Sequence, residues 1–203
     1  DTNSFGITVP TYLDLIQASP SPVPAENALL AGALSSQTIE EYRALATRLF
    51  PELQLHVIDL EGKATKEFSE RVGINFQLGN LLVPQVDVIG HQDIVFTNYL
   101  LRSLVSSIAQ PRNVLINAFF AQMSNLLNPE GRLVMVEHMA PKDISLFQFM
   151  LENKGFSDIH MVPAATFRKR RILDRWLDSG NSTYDQALVD LPENHVGIIA
   201  RKV

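Results

Sequence analysis

The chain predicts an α/β fold with a doubly wound, mostly parallel sheet of seven strands. Three observations carry this. Apolar runs of strand length alternate with helical patterns from Asn27 onward, which is the rhythm of stacked strand–helix–strand units. The runs are near-continuously apolar, as strands buried on both faces must be. The 203 residues, 46% of them hydrophobic and 19% charged, suffice for one sizeable core without disulfide staples.

Residues 11–18 carry Tyr12, Leu13, Leu15 and Ile16 at amphipathic helical spacing. Pro20, Pro22 and Pro24 then bias the chain away from helix, so residues 1–26 read as a helix with an extended lead-in and 27–203 as the α/β domain. A strand over 28–31 runs into Gly32. The spacing of Ile39, Tyr42, Leu45, Ala46 and Leu49 predicts a helix over 36–49, stopped by Pro51. Strand 55–58 ends at Asp59, helix 66–72 follows, and 74–78 is a third strand. A fourth covers 93–97. Helix 114–127 closes on Asn128-Pro129-Glu130-Gly131, and 132–137 is the fifth strand. Helix 144–153, strand 158–162, about 30 mixed residues and a last strand over 195–200 complete the chain.

Composition excludes several chemistries. With no cysteine there is no disulfide, zinc thiolate, iron–sulfur cluster or thiol nucleophile, and no metal site is expected. Seventeen basic against 22 acidic residues give a net charge of −5, so no global field draws nucleic acid or an anionic membrane. No run reaches the roughly 18 apolar residues that span a bilayer, and the chain reads as soluble and cytoplasmic.

In an open parallel sheet, ligands bind outside the carboxyl ends of the strands where strand order reverses. The residues expected there are Gly32, Asp59, Gly79 and Asn80, Asn98, and Glu137 with His138. A small-residue turn after strand 1, an acid closing strand 2, Gly-Asn after strand 3 and a polar residue after strand 4 together resemble the class I S-adenosylmethionine-dependent methyltransferases, a Rossmann-like fold. The strongest match is Asn128-Pro129-Glu130-Gly131 and the strand after it, similar to the family's Leu-x-Pro-Gly-Gly segment.

The resemblance implies roles. Asp59, followed by Leu60, would accept hydrogen bonds from both ribose hydroxyls. Asn80, standing where the family has an acid, would meet the adenine amino group through its carbonyl oxygen, with the Leu81 amide facing the ring. Ala31 and Gly32 would pass close to the methionine moiety and Asn98 would lie beneath the sulfonium. The family's Gly-x-Gly-x-Gly is reduced here to Gly32: Leu30 stands at its acid, Leu34 and Ser36 at its later glycines. His138 is the candidate base, and Tyr99 and Arg102 could hold substrate. His56 and His160, inside strands, and His91 and His195, preceding strands at the opposite edge, are taken as structural.

Two further features stay open. Thr97-Asn98-Tyr99-Leu100 lacks the Asn-Pro-Pro-Tyr of methylases acting on nucleic-acid bases, which favours a small-molecule acceptor. The run Arg168-Lys169-Arg170-Arg171 suits either a solvated helix face or a grip on an acidic group. The expected function is methyl transfer from S-adenosylmethionine to a small molecule. The alternative is a noncatalytic protein of the same fold serving as an interaction or scaffold module; a nicotinamide enzyme is opposed by the missing Gly-x-Gly-x-x-Gly and Tyr-x-x-x-Lys.

Overall fold

The computed structural model describes residues 15–16, 25–32, 39–40, 42–43, 46, 52–59, 63–98, 100–101, 110–163 and 195–203. Its centre is a seven-stranded sheet in the order β3-β2-β1-β4-β5-β7-β6. The strands are β1 (Asn27–Ala31), β2 (Gln54–Asp59), β3 (Asn75–Leu78), β4 (Gln92–Asn98), β5 (Leu127–His138), β6 (Phe156–Pro163) and β7 (His195–Lys202). The first five are parallel, and β7 runs antiparallel between β5 and β6.

Alternation along each strand divides the core into two layers. Leu29, Ala31, Ile58, Val95, Leu133, Met135 and Ile198 face one side. Ala28, Leu30, Val57, Ile94, Phe96, Val134 and Ile199 face the other. On the second side lie the buried helical residues Leu15, Ile16, Ile39 and Tyr42, together with Phe68 of α1 (Lys63–Arg71). Tyr42 meets Phe96 edge-on, with ring centroids 5.2 Å apart. Of the predicted N-terminal helix only residues 15–16, and of the 36–49 helix only 39–40, 42–43 and 46, belong to the described set; residues 168–171 lie outside it.

The first side is covered by a single turn, α2 (Val86–Ile89), and by α3 (Arg112–Leu126) and α4 (Ile144–Glu152). Leu115, Ile116, Phe119, Phe120, Met123 and Leu126 recur at three- and four-residue steps, so α3 buries one stripe along its length. The Phe120 ring meets Phe147 of α4 edge-on at 5.8 Å. Burying such a phenylalanine stabilises the fold by about 1.5–3 kcal/mol.

The junction from α3 to β5 differs from the expected cap. The helix stops at Leu126 and the chain enters β5 directly, with Leu127 extended at φ −83°, ψ 138°. Pro129 bars the helix from continuing through Asn128, since the residue before a proline is pushed out of the helical region, and the helix ends just ahead of that position. The Asp93 carboxylate fastens the segment: Oδ1 accepts from Asn128 Nδ2 at 2.9 Å, while Oδ2 accepts the Glu26 and Asn27 amides at 2.8 and 3.0 Å. A Cβ on Gly131 would lie 2.9 Å from the Asn128 carbonyl oxygen and 3.0 Å from that of Asp93, so only glycine fits. The Pro-x-Gly signature thus lies within β5, where its register with β4 is irregular between the Gln92–Leu127 and Ile94–Arg132 pairs.

Candidate functional site

Strand order reverses at β1, whose neighbours are β2 on one side and β4 on the other. The crevice of the fold therefore opens at the carboxyl ends of β1 and β4. Strand spacing of roughly 4.8 Å puts about 19 Å between the end of β3 and the end of β5.

Gly32 follows β1 with φ +78°, a conformation that side-chain-bearing residues rarely adopt. Its amide donates to the Ile58 carbonyl at 2.9 Å, and the Gly79 amide donates to the Asp59 carbonyl at 3.0 Å. The turns after β1 and β3 thus pin the backbone on either side of Asp59, leaving its half-buried carboxylate at the edge between them.

The loop after β3 is organised by Gln85, which is buried and donates Nε2 to the Asn80 carbonyl at 3.0 Å. Asn80 is exposed, and its Oδ1 accepts the Leu82 amide at 2.9 Å in an Asx turn. That leaves the second lone pair of Oδ1 for another donor. Leu81 turns its side chain into the core.

Beyond β4 the chain is helical at Leu100 and Leu101. The Leu101 amide donates to Glu137 Oε1 at 3.0 Å, so the buried carboxylate near the end of β5 fixes the start of the segment after β4. Leu100 reaches across the crevice to Gly32: a Cβ on that glycine would lie 2.8 Å from Leu100 Cδ1.

Of the expected site residues, Ala31, Gly32, Asp59, Asn80 and Leu81 stand together along the β1–β3 part of this edge, Asn98 ends β4 and His138 ends β5. Leu60, Tyr99 and Arg102 lie outside the described residues. His195 requires a correction: β7 is antiparallel, so its first residue pairs with His138 at the carboxyl edge and not at the opposite one. His56 and His160 are strand residues, as expected. Burial lowers the His56 pKa from its usual value.

Sequence reading missed Gln85, Leu100 and the tie from Glu137. Of these, the tie from Glu137 had a signal in the sequence, an acid ending an apolar strand. Among the described residues, no three acidic or histidine side chains are grouped to hold a metal, and no helix is long and apolar enough to cross a membrane.

No family model matches the chain, and no curated protein matches it. Solved structures do. Phosphoethanolamine N-methyltransferase 2 of Haemonchus contortus, in complex with phosphomonomethylethanolamine and S-adenosylhomocysteine, is similar with a TM-score of 0.61 at 14% identity, over 94% of this chain and 52% of that one. The chain thus spans about half the length of that enzyme. The N-methyltransferase NodS of Bradyrhizobium japonicum gives 0.57 at 15% identity, over 97% of both chains. Geranyl diphosphate C-methyltransferase of Streptomyces coelicolor, in complex with Mg2+, geranyl diphosphate and S-adenosylhomocysteine, gives 0.58 at 13% identity, over 95% of this chain and 78% of that one. The strand order with its antiparallel β7 and these likenesses assign the chain the class I methyltransferase fold.

Proposed function

We propose that the chain is a cytoplasmic S-adenosylmethionine-dependent methyltransferase acting on a small-molecule acceptor. The observation that supports this most is the convergence of Gly32, Asp59 and Asn80 on one edge beside the strand-order reversal. The donor set suits the cofactor from end to end. Asp59 offers two acceptor oxygens for the ribose hydroxyls, Asn80 a carbonyl oxygen and Leu81 an amide for adenine, and Ala31 and Gly32 a backbone with little side chain for the methionine moiety. Bound there, the cofactor supplies an electrophilic methyl on its sulfonium.

The chain's own part is alignment and proton handling. Asn98, closing β4, would orient the reacting end. His138, closing β5, would take the acceptor's proton, a task for which histidine is the usual side chain at neutral pH. Tyr99 and Arg102 are assigned to the acceptor. The nearest rival is a noncatalytic protein of this fold, favoured by the contact of Leu100 with Gly32 and by Leu34 and Ser36 at the family's glycine positions.

Calorimetric titration with S-adenosylmethionine and S-adenosylhomocysteine, with NAD as control, decides between them. Micromolar binding of the first two and none of the third is expected. Asp59→Ala should weaken both by about 10-fold or more, since a charge-assisted hydrogen bond contributes about 1.5–3 kcal/mol. Affinity unchanged within about twofold would remove Asp59 from the ribose; absence of heat with any ligand would favour the noncatalytic reading.

A further inference from the structure

The contact between Leu100 and Gly32 lies at the mouth of the crevice, where β1 and β4 diverge. Its two sides differ in freedom. Gly32 is buried, held by its hydrogen bond to Ile58, and confined to a left-handed conformation. The backbone beside Leu100 is equally fixed, because Leu101 is buried in the core and its amide is bonded to Glu137. Neither main chain can withdraw without breaking a buried hydrogen bond. The Leu100 side chain is only partly buried and turns between staggered rotamers, so it is the movable part of the contact.

We propose that Leu100 gates the methionine end of the cofactor crevice. Its side chain lies across the backbone at Gly32 and has to rotate aside before the amino-acid end of the cofactor can approach that backbone. Glu137 acts as a positioning residue: it fixes the main chain from which Leu100 swings. The proposal rests on the cofactor reading given above. It adds that this leucine opposes the methionine end and leaves the adenosine end unaffected, because Asp59 ends β2 and Asn80 follows β3, both on the far side of β1.

The two ends can be probed separately by titrating the wild-type chain, Leu100→Ala and the conservative Leu100→Val with S-adenosylhomocysteine and with adenosine. Circular dichroism would establish that each variant is folded. Leu100→Ala should bind S-adenosylhomocysteine at least fivefold more tightly than the wild type, Leu100→Val should fall between, and adenosine should bind all three within about twofold. S-Adenosylhomocysteine binding in the wild-type range or weaker in both variants would overturn the gate while leaving the cofactor reading intact, since leucine would then be a floor for the ligand. Tightening of adenosine by the same factor would also overturn it, because the effect would not be confined to the methionine end. Failure of all three proteins to bind either ligand would defeat the cofactor reading, and the gate with it.

Discussion

Gly32→Ala is the sharpest test of how the crevice is built, because two separable effects meet at one atom. The first is conformational: at φ +78° an L side chain costs about 1–2 kcal/mol. The second is crowding, since the new Cβ would lie 2.8 Å from Leu100 Cδ1, well inside van der Waals contact. That neighbour is the end of a flexible side chain and can turn, so the crowding should stay near the lower end of the usual overpacking range, about 1 kcal/mol. Alanine also restricts the unfolded chain, which offsets somewhat less than 1 kcal/mol. The net expectation is a loss of about 2 kcal/mol, or a fall in Tm of roughly 4–8 °C for a chain of this size.

Urea denaturation followed by circular dichroism measures that loss, and a double-mutant cycle with Leu100→Ala separates its parts. Removing Leu100 should restore about 1 kcal/mol to the Gly32→Ala background and leave the conformational cost in place. A Gly32→Ala chain within about 0.5 kcal/mol of wild type would refute the left-handed turn. A cycle with no coupling would refute the contact.

Three other perturbations read different parts of the molecule. His56 has its pKa lowered by burial, so on acidification the unfolded chain takes up the proton before the folded one does. Its contribution to stability is therefore neutral above the ordinary value near 6.5 and turns unfavourable as pH falls from there towards the lower folded value. His56→Gln should flatten the loss of Tm over that window, and an unchanged slope would exclude His56 as its source. Tyr42 is fully buried, its hydroxyl finds no hydrogen-bond partner among the described residues, and burial raises its pKa well above the usual value. Tyr42→Phe should consequently match or exceed wild-type stability, by up to about 1 kcal/mol, and a loss of 2 kcal/mol in urea would reveal a partner for the hydroxyl. Arg201→Ala should lower Tm in dilute buffer and differ less from wild type at molar salt, where exposed ion pairs are screened; equal Tm values in dilute buffer would deny the arginine its role.

The order of elements was legible because apolar runs end where strands end. Asp59 closes both the apolar run and β2, and Asn98 closes β4, so candidate positions at the carboxyl edge could be read from where hydrophobicity stops. Strand direction was not legible in the same way. A continuous apolar run has the same pattern read from either end, and for that reason the sequence places His195 on the wrong edge. The turn α2 was missed because Val86-Asp87-Val88-Ile89 is too short to show a helical period. Leu100 was missed because its role depends on a partner on another strand. No local pattern in the loop after β4 indicates that Gly32 lies opposite.

The two ends of the sheet accommodate left-handed backbone differently, and the contrast bears on the proposed gate. Near the amino ends of β5 and β6, Glu130 and Asp158 adopt positive φ of 66° and 47° respectively. Both carboxylates are bonded to one guanidinium: Arg201 Nη1 reaches Glu130 Oε2 at 2.9 Å, and Nε reaches Asp158 Oδ2 at 2.6 Å. The bond to Glu130, chiefly, raises the Arg201 pKa. Arg132, buried beside it, donates to the Glu130 carbonyl, so this end is closed by side chains satisfying one another. At the carboxyl end the positive φ falls on Gly32, which adopts it without strain and leaves the space above its backbone to the Leu100 side chain. A region that only has to be stable can lock its strain with ion pairs. The proposed gate calls for the other arrangement, a bare backbone beneath a side chain that can turn aside, and Gly32 and Leu100 provide it at the β1–β4 crevice.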